Sequence, residues 1–244
     1  KLRGAPDYTS ETFAKRQPEF KKLQNQLKAI DTTHWSIPNK VDWMVVWAEM
    51  NGYDFNHRIL KPWERDPAFY KTVWTYKSDV PAHEGPTHHA VLELWTYNFP
   101  LSKTEKERFI NDLNVIPPLN EQATKNLTGN AKDLFITGIR DIEAQGAVLS
   151  SIKNKAGVKD DKKLITAIDN ALTSTNDLVT WLRSEAKNKT GPSGIGKENY
   201  TWYLQNVHLV PLTWEDEVMI LKRELARAWA SLKLEEHRNR NLPQ

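Results

Sequence analysis

Apolar residues recur along this chain with the period of a helix, in several stretches broken by polar or Pro-rich segments. Phe20, Leu23, Leu27 and Ile30 repeat at three and four, which is one face of a helix. A better-marked helix follows: Ser36 can cap it, Pro38 suits its first turn, and Val41, Val45, Ala48, Gly52, Phe55 and Ile59 continue the stripe. Trp43 and Trp47 form a second apolar line, so this helix is expected to be covered on two sides and to sit near the centre of the domain. Between 61 and 100 the pattern breaks, with Pro62, Pro67, Pro81, Pro86 and Pro100 punctuating a stretch rich in Trp, Tyr and His. Within it, residues 89–97 suit one short helix or strand.

Helical order resumes at Ser102, which with Glu105 forms a capping box. Phe109, Leu113 and Ile116 follow, and Pro117-Pro118 is expected to stop that helix. A long helix from about Ala131 carries Phe135, Ile139, Ile142, Gly146, Leu149 and Ile152; after a turn at 153–161 another carries Leu164, Ile168, Leu172, Thr175, Val179 and Leu182. The two read as an antiparallel hairpin. Gly191, Pro192, Gly194 and Gly196 mark a linker, a short helix fits 198–206, and Thr213 caps a last helix with the stripe Val218, Leu221, Leu225, Ala228 and Leu232. The expected fold is all-α: a multi-helix array or bundle with an irregular insert at 61–100. Its helical body spans 1–186 and contains the hairpin at 131–186; a linker spans 187–196, and a short helix plus a long one occupy 197–244.

Composition narrows the functional classes. Among 244 residues, 34 basic and 31 acidic side chains give a net charge of only +3, interspersed along the helices, so no one-sided basic stripe points to nucleic acid. The absence of cysteine removes disulfides and thiolate chemistry. No apolar run approaches the ~20 residues that a membrane-spanning helix requires. Ten Trp are many for this length and suit a packed interior or an aromatic groove. The chain begins at Lys1 without an apolar leader, which fits a signal peptide already removed, and three Asn-x-Thr sequons, beginning at Asn126, Asn188 and Asn199, are compatible with a secreted eukaryotic chain.

The candidate chemistry lies in the irregular segment. A helical zinc peptidase uses His-Glu-x-x-His because residues four apart share a helix face, so both imidazoles reach one ion while the Glu activates its water. Here Thr87 stands four after His83, the next histidine is His88, and Gly85-Pro86 interrupts any helix. A loop site drawing on His83, His88, His89 and Glu93 is the weak alternative; ordered-loop histidines that hydrogen-bond locally are the plainer one. Arg58, Glu64, Arg65 and Asp66 crowd around Pro62 and Trp63 and read as a polar corner that fixes a loop. No phosphate loop or nucleophile elbow is present.

Several segments resemble the family called domain of unknown function 885. They are Lys40-Val-Asp-Trp-Met-Val-Val-Trp-Ala-Glu-Met-Asn-Gly-Tyr-Asp-Phe55 with His57-Arg58, then Arg65-Asp-Pro-Ala-Phe-Tyr70, Gly194-Ile-Gly-Lys-Glu-Asn-Tyr-Thr-Trp-Tyr-Leu204, and Leu212-Thr-Trp-Glu-Asp-Glu217. That family is similar to helical zincins, in which a bundle of helices surrounds a deep cleft. The resemblance implies an N-terminal portion of such a metallopeptidase, forming one wall of the cleft and not catalytic alone. It implies no catalytic residue, metal ligand or cofactor in this chain, with zinc expected only in the missing C-terminal half; that half is the expected partner, together with a peptide substrate, and not nucleic acid. It also implies a secreted or cell-envelope location. Trp63, Tyr70, Trp74 and Trp95 are the expected substrate contacts. The alternative from the residues alone is a stand-alone helical ligand- or peptide-binding module without enzymatic activity.

Overall fold

The computed structural model describes residues 6–76 and 92–242. Among these the fold is all-α, with one two-residue strand pair as its extended element. The elements are α1 (Ser10–Lys28), α2 (Ile37–Phe55) continued by a π turn to Leu60, α3 (Pro62–Arg65), a 3-10 turn (Pro67–Tyr70), β1 (Val73–Trp74), β2 (Leu92–Glu93), a 3-10 turn (Leu94–Thr96), α4 (Lys103–Leu113), α5 (Ile116–Asn126), α6 (Lys132–Ile152), α7 (Lys162–Ala186), α8 (Lys197–Asn206) and α9 (Trp214–Arg238). The chain divides into two units, one of residues 1–26 and 56–194, the other of 27–55 and 195–244. One boundary falls at 194–195, within the Gly-rich segment, and α2 with the residues 27–36 before it belongs with the C-terminal helices, a grouping across some 140 residues that no local pattern encodes.

The first unit is built on the hairpin of α6 and α7. Phe135, Ile142, Leu149 and Ile152 from α6 and Leu164, Ile168, Leu178 and Leu182 from α7 are all buried, as the period of the stripes requires. Asp161 caps α7 by accepting from the Lys163 and Leu164 amides at 3.0 and 3.1 Å, and the Ser102–Glu105 capping box starts α4. Against the hairpin pack α4 and α5. Helix α4 ends at Leu113, before the prolines expected to stop it, and α5 starts on them: Ile116 belongs to this second helix, and both prolines sit in its first turn, where the missing N–H groups have no intrahelical partner in any case. Its Ile116, Leu119 and Ala123 close the core.

The Pro-rich stretch is tied to this core by specific contacts. Gly138 on α6 lets the 67–70 turn approach so closely that a Cβ there would lie 2.7 Å from Pro67 Cβ and 2.9 Å from the Ala68 amide nitrogen. The buried Gln145 then accepts from the Thr72 and Val73 amides at 2.8 and 3.1 Å, which seats β1, and β1 pairs in parallel with β2. At the other end the segment 188–194 is pinned on the N-terminus of α6: Asn130 Oδ1 accepts from the Thr190 and Gly191 amides, and Ser193 Oγ accepts from the Asp133 and Leu134 amides. The Gly-rich composition here serves close approach, since a Cβ on Gly191 would lie 2.2 Å from the Asn130 carbonyl oxygen.

In the second unit the C-terminal half of α2 packs on α8. Phe55 is buried against Trp202, with ring centroids 5.5 Å apart at 7°, and against Tyr203 at 4.9 Å; Asn51 donates to the Asn206 carbonyl at 3.0 Å. Helix α9 starts from a complete capping box, Thr213 with Asp216, and its first turn is held by the Thr201 hydroxyl accepting from the Trp214 amide. The expectation that α2 is covered on two sides is corrected here. Ala48 and Phe55 are buried, but Ile37, Val41 and Val45 on the same stripe are exposed, and α9 buries no side chain along its whole length. In and just after α1 the expected run holds only in part: Phe20 and Leu27 are half-buried, Leu23 and Ile30 are exposed, and the buried position is Gln24.

Candidate functional site

Of the residues that the sequence singles out for metal, His83, His88 and His89 lie outside the described residues. Glu93 is half-buried on β2, opposite Trp74. Among the described residues no group of three or more His, Asp or Glu side chains is arranged to hold a metal ion.

The four aromatic candidates are placed differently from one another. Trp63 is buried, stacked on Phe13 at 3.9 Å and beside His57 at 5.1 Å. Tyr70 is buried too: its hydroxyl donates to the Trp63 carbonyl and accepts from Asn126 Nδ2, both at 3.0 Å, and burial holds its ionisation well above the usual tyrosine range. These two rings therefore belong to the core of the first unit. Trp74 is half-buried with the Lys71 ammonium 4.8 Å from its ring centroid, while Lys71 also pairs with Asp141 at 3.0 Å. Trp95, on the 94–96 turn, presents 36% of its surface to solvent and is the most accessible of the four.

The polar corner around Trp63 is a hydrogen-bonded clasp. Arg65 spreads its guanidinium over the carbonyls of Ile59, Leu60 and Ser193, with the Ser193 contact at 3.0 Å. Asp66 caps the 67–70 turn through the Ala68 amide at 2.9 Å, and burial raises the pKa of its carboxyl. Each of these side chains is spent on backbone groups that would otherwise be unsatisfied, which is a positioning role.

Two surface clefts stand out among the described residues. One, of about 370 Å³ between α4 and α7, is lined by Ile110, Asn114, Lys162, Lys163, Thr166 and Asn170. Its Thr166 hydroxyl donates to the Lys162 carbonyl, and Asp161 already occupies the Lys163 and Leu164 amides, so the helix start offers little to a ligand. The other cleft, of about 310 Å³, lies in the second unit between residues 27–35 and α2, with Leu27, Ile30, Trp35, Asn39, Asp42 and Trp43 among its walls. By period alone Trp43 belongs to an apolar line with Trp47, and nothing in the pattern marks Trp35 or Asp42. Positions 39, 42, 43 and 46 do fall on one helical face, but the partner surface comes from the turn before the helix, and no period announces that.

Comparison of the chain with protein-family profiles, with curated proteins and with solved structures returns no match. No helix among the described residues is long and apolar enough to cross a membrane.

Proposed function

We propose that this chain is the N-terminal helical portion of a zincin-like metallopeptidase of unknown substrate, forming one wall of its cleft and inactive by itself. Two things support the reading. The first is the residue-level resemblance of 40–58, 65–70, 194–204 and 212–217 to the domain of unknown function 885 family. The second, which carries it, is the bare apolar face of α9: Leu221, Leu225, Trp229 and Leu232 are all at least 48% exposed on a helix that is otherwise well capped and charge-balanced. A stripe of that length left exposed among the described residues is the mark of a surface meant to be covered. In this reading the cover is the C-terminal half, which would also bring the zinc ligands; the described residues present no such ligand set, and no hydrolytic step is assigned to them. Secretion or residence in the cell envelope follows from the same reading, as does a peptide substrate.

The test is the reading frame beyond the Gln244 codon and the activity of its full product. A His-Glu motif of the Pro-Gly-His type in that frame, with zinc-dependent peptidase activity absent from this chain alone, is expected. A stop codon at that position, with a monodisperse and soluble product, overturns it. That outcome favours the second reading, a stand-alone helical binding module, for which the two-indole cleft at α2 is the specific observation. One equivalent of zinc retained by this chain and lost on His88→Ala would instead promote the loop site at His83, His88, His89 and Glu93.

A further inference from the structure

We propose that the cleft between the end of α1, the 31–36 turn and the first half of α2 binds an organic cation, an alkylammonium or guanidinium group carried on an apolar stem. The proposal does not rest on the peptidase reading. The cleft face of α2 carries Asn39, Asp42, Trp43 and Val46, whereas Ile37, Val41 and Val45 point about half a turn away, so the cleft is separate from the bare stripe.

The volume of about 310 Å³ sits at the lower end of the ~300–1,000 Å³ usual for small-ligand sites. Most of the wall is apolar: Leu27 at the end of α1, Ile30 just after it, and Val46, Trp43 and Trp35. Asp42 is its one charged side chain and Asn39 its one amide. Two parts of the wall, Trp43 and the turn before the helix, are held by contacts within the chain. Trp43 Nε1 donates to the Leu27 carbonyl at 3.0 Å, and its ring stacks on Trp47 with centroids 5.7 Å apart at 11°. The turn that carries Trp35 is set by Asp31, whose carboxylate accepts from the Thr33 amide at 2.9 Å and from the Thr33 hydroxyl.

With its one polar atom engaged, Trp43 offers a ligand only ring surface, and ring faces are electronegative. Two indoles and a carboxylate around an apolar slot thus select a cation over a neutral or anionic group of the same shape. No resident cation pre-empts the site from Lys40, whose ammonium is held at the Thr33 carbonyl at 3.2 Å. An apolar stem fits because Leu27, Ile30 and Val46 line the slot and present nothing for a polar stem to bond. Asp42 and Trp35 are exposed, so the affinity is weak and falls with added salt.

The experiment is a titration of the ¹⁵N-labelled chain, followed at the indole Nε1–H resonances of Trp35 and Trp43, each assigned from its Trp→Phe variant. Hexylammonium and N-acetyl-arginine methylamide are the cationic probes, and 1-hexanol is the uncharged probe with the same stem. Saturable shifts at both resonances are expected from at least one cation, with hexanol about fivefold weaker or more. Asp42→Asn weakens the cation by about fivefold and leaves hexanol unchanged, whereas Trp35→Ala weakens both. Saturation by hexylammonium alone identifies free amines as the ligand class, by the arginine derivative alone a basic side chain of a peptide, and by both the charge on a stem as such; all three support the site. Hexanol binding as tightly as the cations, no effect of Asp42→Asn in a variant with an unchanged far-ultraviolet spectrum, saturation confined to other Trp resonances, or no saturation by either cation each overturns it.

Discussion

Helices α7 and α9 are both 25 residues long, both capped by a side chain at the N-terminus and both striped with apolar residues at three and four. Yet α7 buries eight residues and α9 none. In α7 the stripe meets α6, whose own stripe faces it, and α4 and α5 complete the cover. In α9 the stripe stays exposed beyond the first turns against α8, and among the described residues the helix is supported by local terms: the Thr213–Asp216 capping box, Glu215, Asp216 and Glu217 at its positive end, His237 and Arg238 at its negative end, and i, i+3 ion pairs such as Arg227–Glu224 and Arg238–Glu235. Amphipathic period reports which face of a helix is apolar. It does not report whether anything within the same stretch of chain covers that face.

The sharpest way to break the comparison is to truncate one apolar side chain on each side of it. Phe135 is fully buried in the first unit, and Phe135→Ala is expected to cost about 3–5 kcal/mol through lost burial and the cavity left behind. Leu225 is 60% exposed on α9, and Leu225→Ala is expected to fall within about 0.5 kcal/mol of the parent. Urea denaturation of the two variants reads both numbers. A loss at Leu225 above about 1 kcal/mol would mean that α9 is covered in solution by a second copy, and that loss would then depend on protein concentration.

Much of the helical framework is legible in the sequence because its signals are local. The stripes of α6 and α7, the Ser102–Glu105 capping box and the start of α9 at Thr213 are where period and capping chemistry place them. Helix α5 was hidden because a Pro pair is read as a stop unless its position in the first turn is known, although Ile116, Leu119 and Ala123 keep the period. The Pro-rich stretch has no period at all, and what seats its 67–73 segment is long-range: Gly138 and Gln145 on α6, more than 65 residues away, receive it. The cleft at Asp42 and Trp43 was invisible for the same reason, since its second wall is a turn whose shape comes from Asp31 and Thr33. Nor do four Trp and Tyr residues in one Pro-rich run have one fate: Trp63 and Tyr70 fill the core, and Trp95 faces solvent.

Two smaller effects sharpen the contrast between a helix fixed by packing and one fixed by its ends. Gly138→Ala drives a methyl group into Pro67 and the Ala68 backbone, neither of which is the flexible end of a side chain, so a loss of about 1–3 kcal/mol is expected despite the better helix propensity of Ala. Thermal melting checks the sign: a rise in Tm would show that the 67–70 turn yields. Thr213→Ala removes one half of the α9 capping box and is expected to cost about 1 kcal/mol of that helix's stability. Because α9 buries no side chain, the loss should show as faster amide exchange in the first turns of α9, with the exchange of α6 and α7 unchanged. Uniform acceleration in all three helices would contradict it.

The smallest effect is a pH dependence with opposite signs at two caps. Asp161, capping α7, is held below its ordinary carboxylate range first by the hydrogen bond from Lys106 and then by the amides it accepts. Its stabilisation is therefore present above pH 3.8 and lost as pH falls through its lowered folded value. Asp66, capping the 67–70 turn, is raised above 3.8 chiefly by burial, so the folded state keeps its proton longer than the unfolded chain does. Its contribution is most favourable below pH 3.8, declines as pH rises through the window up to the raised folded value, and is a standing penalty at neutral pH. Asp161→Asn should thus flatten the acid limb of the stability curve. Asp66→Asn keeps an oxygen for the Ala68 amide while removing the buried charge, and should raise stability at pH 7 with no gain at pH 3. Stability curves of the two variants between pH 3 and 7 test this pairing, and a loss at pH 7 in Asp66→Asn would show that the ionised carboxylate, with Arg65 beside it, is worth more in that corner than its burial costs.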